Sequence, residues 1–325
     1  MQAKPSFKYF IIVFSLIVGV WSVYNDLIWT THDFKIGDLK QLFSPLNLQL
    51  SFGSKAVGRV NGLNQVNGIF DFLLILGAIG FAINGERQIR LLRFVYSLIF
   101  GCNVVSILRL VLFFVLFRPM MGNKAPVITT DRMIGDAEFL AMECAWLVVS
   151  FLILRYFNRT RDVAVELHEQ EDGEQVGIYI EASKGTRFMH NLIDNLTIIL
   201  IFSDLQKTFE GLVSHGASAA NSNEDVGTVL LTQVFFLVCA WIYFAIYEAI
   251  FGITPAKTLT GTRVVDDESR TPQFKTIAIR SLSRLVPFDS ISFFMDRGWH
   301  DKWSDTYVVM EEIVETDEQI STPQA

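Results

Sequence analysis

Residues 187–213, RFMHNLIDNLTIILIFSDLQKTFEGLV, form an apolar run with an arginine at its entrance and an aspartate two turns further in. On a helix Arg187, Asn191, Asp194 and Asn195 fall at i, i+4, i+7 and i+8 and share one face, while Leu192, Ile193, Leu196, Ile199 and Leu200 cover the rest. The run is long enough to span a bilayer, which takes about 20 predominantly apolar residues. An aspartate at the centre of such a helix costs roughly 2.5 to 3.5 kcal/mol on insertion scales, and somewhat less near the interface. Such a residue is a functional hypothesis by default.

The rest of the chain agrees with a membrane reading. Of its 325 residues 51% are hydrophobic and 13% aromatic, with 28 Phe. Charged residues make up 19%, below the roughly 25% of soluble domains. The net charge of -7 owes much to two acidic stretches, residues 162–181 and 311–318, while basic residues gather at the ends of apolar runs. Neither pattern suits a nucleic-acid partner. Cys102, Cys144 and Cys239 lie within apolar runs and carry no metal spacing, so they read as small buried hydrophobes.

Six spans emerge along the chain. MQAKPSFK precedes an apolar run of about 20 residues without a signal-peptidase site, which predicts an uncleaved first helix with Trp21, Tyr24 and Trp29 at the far interface. Residues 31–66 carry turn formers at Gly37, Pro45, Gly53, Gly58 and Gly62 and predict a loop. Further spans follow at about 66–83, 92–117, 136–157, 187–213 and 228–252. Gly68, Gly77 and Gly80 in the second allow close helix contact. The third and fourth spans should pair antiparallel, and the rise of about 1.5 Å per residue puts Arg109 and Glu143 at one depth, so an Arg109–Glu143 ion pair is expected. That pair either locks two helices together or couples to a proton or ion.

Lysines and arginines place the ends. Lys4 and Lys8, Arg87 to Arg93, and Arg155 to Arg187 fall on one side of a six-span path, which puts both termini in the cytoplasm of a multi-pass inner-membrane protein. Lys35, Lys40, Lys55 and Arg59 run against that bias. Between the fourth and fifth spans, residues 159–183 form an acidic cytoplasmic linker with a strand at 176–182. After the sixth span, 262–266 and 306–310 look like strands that join it in a small cytoplasmic sheet. Between them Phe274, Ile277, Ala278, Leu282 and Leu285 line one helical face, with Lys275, Arg280 and Arg284 turned from much of it. This predicts an amphipathic helix lying on anionic headgroups. Residues 311–325 read as a disordered acidic tail. The fold class is an all-α integral membrane protein with about six transmembrane helices, a small cytoplasmic β element and an interfacial helix. It divides into a four-helix region at 1–158, the linker, a domain at 184–310 and the tail.

RFMHNLID at the head of span five, YEAIFGITPAKTLTGTRVVDD leaving span six, and RGWHDKWSDTYVV near the end together resemble the RDD family of bacterial membrane proteins over about 184–309. The resemblance implies that the family's arginine is Arg187 and its aspartates Asp194 and Asp301. Ala256 stands where the family usually has glycine in its G-x-T-P-G-K element, and Asp305 where glycine is common. The family's usual proposed role is transport. Residues 1–158 carry no such resemblance.

The residues alone support transport as well. Asp194 lies seven residues in from Arg187 and Glu248 six before Thr254, so both sit roughly 9 to 11 Å from one face. Packed together with Asn195, Tyr247 and His190, two such acids can share a proton or hold a cation. The first expectation is therefore a proton-coupled transporter of a cation or small solute, with Arg187, Asp194, Glu248, Asp301, Asn191, Asn195 and Tyr247 as its site. The second is a scaffold or regulatory subunit for a protein partner or another copy of the chain. There Arg187 pairs with Asp194, and Glu248 caps a backbone or holds the 297–301 segment. No nucleophile, zinc or nucleotide motif is present, so no catalytic residue, cofactor or metal is expected.

Overall fold

The computed structural model describes residues 5–29, 45–46, 66–121, 129–169, 175–216, 226–266, 270–286, 289–292 and 298–313. Six of its helices are long and apolar enough to cross a membrane: α1 Pro5–Trp29, α2 Val66–Asn84, α3 Arg90–Leu112, α4 Thr130–Arg159, α5 Lys184–Gly216 and α6 Val226–Phe251. Each predicted span is one of these, and α3 continues through a π-helical turn at Phe113–Phe117. The loop expected at 31–66, apart from 45–46 and residue 66, most of the loop after α5, and residues 314–325 lie outside the described residues.

Helix packing follows from small residues and chain order. α1 lies on α2, α3 on α4, and α5 on α6, which includes the antiparallel pairing expected of spans three and four. α3 is the hub, with Leu92, Val95, Tyr96 and Ile99 all inaccessible. Two glycines permit its close approaches. A Cβ on Gly77 would lie 3.0 Å from the Leu92 backbone nitrogen, and one on Gly101 would lie 2.9 Å from Ile201 of α5. On α1, Phe10, Val13, Ile17 and Val20 recur along one exposed face that suits lipid. Cys102 and Cys239 are buried as expected, but Cys144 is exposed.

At one end of the bundle stand a three-stranded sheet, in the order β1-β5-β4, and a two-stranded hairpin, β2-β3. The strands are β1 Arg161–Val163, β2 Val165–Glu169, β3 Gln175–Tyr179, β4 Thr262–Asp266 and β5 Thr306–Ile313. β4 and β5 are the strands that the sequence predicts, and they pair antiparallel with each other from Thr262↔Met310 to Asp266↔Thr306. The linker strand pairs differently: β3 forms a hairpin with β2, and only Glu181 bridges to Val309, while β1 takes the rest of that edge. The hairpin closes a shorter loop and so loses less chain entropy. β5 also runs past 310, so residues 311–313 belong to the sheet and not to a tail, and Glu311 is 6% exposed.

Short helices complete this end: α7 Pro255–Thr260, α8 Phe274–Ser283, α9 Asp289–Ser292 and α10 Trp299–Trp303. α8 is the predicted amphipathic helix, with Phe274 and Leu282 of its apolar face outward as lipid contact requires, but Arg280 is drawn in. Arg280 and Ile277 are wholly buried while Phe274, Ile279 and Leu282 face outward. Carboxylates inside the bundle draw the guanidinium inward, and the apolar residues take the outer face.

Candidate functional site

The site forms where α5, α6, α7, α8 and α10 converge, and a turn creates it. Gly252 ends α6 with a left-handed φ of 69°, a conformation glycine adopts freely. Thr254 then takes extended backbone and Pro255 opens α7. The Thr254 hydroxyl makes no cap bond to its own helix. It donates instead to Oδ2 of Asp194 at 2.7 Å. Oδ1 of Asp194 accepts the Ala256 N–H at 3.2 Å and the Tyr243 hydroxyl at 2.8 Å. Asp194 thus caps α7 from a different helix. It is 1% exposed, and none of these three donors is charged.

Glu248 is its opposite. One residue along α7, Lys257 donates to Oε1 of Glu248, joined by Arg284 at 2.8 Å, while Arg280 Nε donates to Oε2 at 3.0 Å. Arg280 Nη1 also donates to Asp301 and to Thr306. Arg187 donates to Asp301 at 2.9 Å and to Glu181 at 3.0 Å. The result is an alternating chain, Glu181–Arg187–Asp301–Arg280–Glu248–Lys257. Burial pushes the Lys257 amine down to about 8 even though Glu248 opposes the shift. Burial would raise the Asp301 carboxyl, but Arg280, His300 and Arg187 outweigh it and hold it below the usual carboxylate range. Burial also lowers His300, whose Nδ1 lies 2.7 Å from Asp289. His190 Nε2 bonds Thr260 at 2.6 Å and Thr262 at 3.1 Å.

A cavity of about 90 Å³ lies between these groups, bordered by Arg187, Asn191, Asp194, Arg280, Arg284 and Asp301 among others. Asn195 donates to Asn191 at 2.7 Å on its wall. Among the described residues no three His, Cys, Asp or Glu side chains converge as metal ligands.

Arg187, Asp194, Glu248 and Asp301 therefore do meet at one end of the bundle, but not in the predicted pairs. Asp194 and Glu248 share no bond, because consecutive residues of α7 serve them separately. The alternative Arg187–Asp194 pair is replaced by Arg187–Asp301. Tyr247 donates to the Ser97 carbonyl on α3 and packs 4.8 Å from the Tyr243 ring, so it supports a ligand of Asp194 from behind. Arg109 pairs with Asp204 of α5 and not with Glu143. Equal depth brings Arg109 near enough for Glu143 to feel its charge, but the ion pair forms with Asp204.

Sequence reasoning missed Thr254, Tyr243, Lys257 and Arg284 as partners, and it missed a second buried group. There Arg93 of α3 and Arg263 of β4 hold Glu311 of β5 at 2.5 and 2.9 Å, and Arg93 also donates to Asn158 of α4. This group ties the first four helices to the sheet. Its only sequence signal was an acid in β register with a strand.

Residues 182–305 match the model of the RDD family, from the turn before α5 to the turn before β5. No curated protein and no solved structure matches the chain. Both departures from the family pattern are legible in the fold. Asp305 has φ 46°, the one positive value of a non-glycine residue among those described, at the position where glycine is common. Ala256 is fully buried, and its N–H still reaches Asp194.

Proposed function

We propose that this multi-pass membrane protein, RDD-like over its C-terminal part, is a proton-linked transporter of a cation or small solute in which Asp194 takes up and releases the proton. The donor set of Asp194 carries the reading. Glu248, Asp301 and Glu311 are each held by guanidinium or ammonium groups, which donate and never accept. Protonating any of those acids sets donor against donor. Asp194 is held by two hydroxyls and one N–H. A hydroxyl accepts as readily as it donates, so Tyr243 and Thr254 can turn when the carboxyl gains a proton. An acid within a span that is not consumed by a cation is costly unless it does work, and Asp194 borders a polar cavity.

In this reading Arg187, Glu248 and Asp301 hold the cytoplasmic end closed, the sheet lies in the cytoplasm, the membrane is the inner one, and the chain does no catalysis. Sealed liposomes holding a pH dye test it, with sodium, potassium and lithium pulses applied to wild type and Asp194→Asn. The expected result is a cation-dependent proton flux that disappears in a folded Asp194→Asn protein. An unchanged flux in that variant would remove Asp194 from the mechanism. The second reading is a scaffold for a protein partner or another copy, favoured by the enclosure of Glu248 within three cations. Silence in wild type across the three ions would reject monovalent cation exchange and favour the scaffold.

A further inference from the structure

We infer that His300 relays the proton between cytoplasmic water and Asp194, with Asp289 fixing its ring and the cavity joining the two residues. The inference rests on the transport reading and deepens it, naming the group that passes the proton where that reading names only the group that keeps it.

The ring of His300 is held in one tautomer. Its backbone N–H donates to Oδ1 of Asp289 at 3.0 Å, and Nδ1 lies 2.7 Å from Oδ2. A carboxylate accepts and does not donate, so Nδ1 carries the hydrogen and Nε2 keeps its lone pair. Among the described residues Nε2 makes no hydrogen bond; it faces Oδ1 of Asp301 at 3.6 Å, beyond bonding distance. Nor is it sealed. The buried side-chain atoms without a partner at this cavity are Nη2 of Arg280 and Nε of Arg284, and Nε2 of His300 is not among them. The His300 side chain is 15% exposed, whereas Asp194 is 1% exposed. An open basic nitrogen therefore stands between water and a buried carboxyl, and both residues border the one cavity. His190 borders it too, but its Nε2 is taken by Thr260 and Thr262.

The surroundings poise the ring. Burial favours the neutral form and Arg280 and Arg284 add to it, while Asp301 and Asp289 favour the imidazolium. A proton from cytoplasmic water adds to the Nε2 lone pair and gives an imidazolium flanked by two carboxylates. Nε2–H then donates to water in the cavity, whose volume of about 90 Å³ exceeds the roughly 10–15 Å³ that one water requires. The proton passes along that water to a carboxylate oxygen of Asp194, and the ring is neutral again with Nδ1–H unchanged. The ionic chain through Arg187, Asp301 and Arg280 stays closed to solutes while a proton passes.

The test uses full-length protein in the same sealed liposomes, with proton flux followed against pH and every rate read against Asp194→Asn liposomes under the same conditions. His300→Gln should lower the flux about a hundredfold. Imidazole should restore flux to His300→Ala, and pyrazole, which has the same shape but is hardly basic, should not. Asp289→Asn keeps the ring and an acceptor for Nδ1–H but removes a charge that favours the imidazolium, so the half-point of its flux should move to lower pH. A merely structural histidine would give neither the basicity-dependent rescue nor the shifted half-point. If His300→Gln and His300→Ala do not fold, the half-point of Asp289→Asn decides. Flux at the wild-type level in a folded His300→Gln, or an unmoved half-point in a folded Asp289→Asn, would overturn the relay. Flux lost in Asp194→Asn yet kept in His300→Gln would reject the relay alone and leave the role of Asp194 standing, whereas no flux in wild type would remove both.

Discussion

Asp194 and Glu248 lie on neighbouring helices, 1% and 0% exposed, and consecutive residues of α7 serve them. Yet one is surrounded by neutral donors and the other by three cations. A carboxylate fixed among cations has one protonation state that fits and one that does not. It works as a rivet between spans, α8 and the sheet. A carboxylate among hydroxyls is satisfied in either state, which is what a carrier of protons requires. Burial alone does not tell the two apart; the identity of the donors does.

The largest effect should come from pulling the rivet. Glu248→Ala leaves Lys257, Arg280 and Arg284 facing one another without a counter-charge, at a cost of about 3–5 kcal/mol. Thermal unfolding in detergent measures it, and a loss under about 1 kcal/mol would sink the structural role given to this network.

Acid should undo the rivets next. The Asp301 and Glu311 carboxyls are held below their ordinary values of 3.8 and 4.5, since in both the neighbouring cations outweigh the upward push of burial. The folded protein therefore releases these protons more readily than the unfolded chain does. Their stabilisation is complete above about pH 4.5 and is lost as pH falls through the depressed folded values. The unfolding temperature should drop along that limb, and Glu311→Gln should flatten it while lowering stability at neutral pH. An acid limb identical to wild type in Glu311→Gln would remove Glu311 from the account.

Asp194→Asn should be milder for the fold, at about 1–2 kcal/mol, because an amide still accepts from two of the three donors. Its loss should appear chiefly in proton flux, with only a small fall in melting temperature. The smallest effect belongs to Arg109 and Asp204, each about one-third exposed. The double variant Arg109→Gln/Asp204→Asn should cost under about 1 kcal/mol and less than either single change, since a single change strands one charge. A double variant worse than both singles would contradict a simple pair.

Much of this was legible in the sequence, for identifiable reasons. Six apolar runs of spanning length give six helices, and the spacing of Asp194 and Glu248 from the ends of their spans puts those two at one level, with Arg187 at the entrance. The existence of β4 and β5 followed from strand propensity on two short segments, though their pairing with each other did not. What failed was the choice of partner. Depth counts residues along an axis and does not choose among neighbours at one level, so Arg109 pairs with Asp204 and not with Glu143. The amphipathic pattern of α8 gives an outward apolar face at Phe274 and Leu282, but it could not show that carboxylates inside the bundle draw Arg280 inward. Glu311 was hidden by its acidic neighbours, because composition could not show that one acid of that run lies in strand register opposite Val163 of β1 and beside Arg93.

Infrared difference spectroscopy of the purified protein in nanodiscs, titrated from alkaline to acid pH, tests the central claim most directly. The account predicts a protonated-carboxyl band that appears on acidification in wild type, shifts on exchange into heavy water, and is absent from a folded Asp194→Asn variant. The same band persisting in Asp194→Asn, or none appearing in wild type until the protein unfolds, would show that Asp194 is as fixed as Glu248 and would contradict the account.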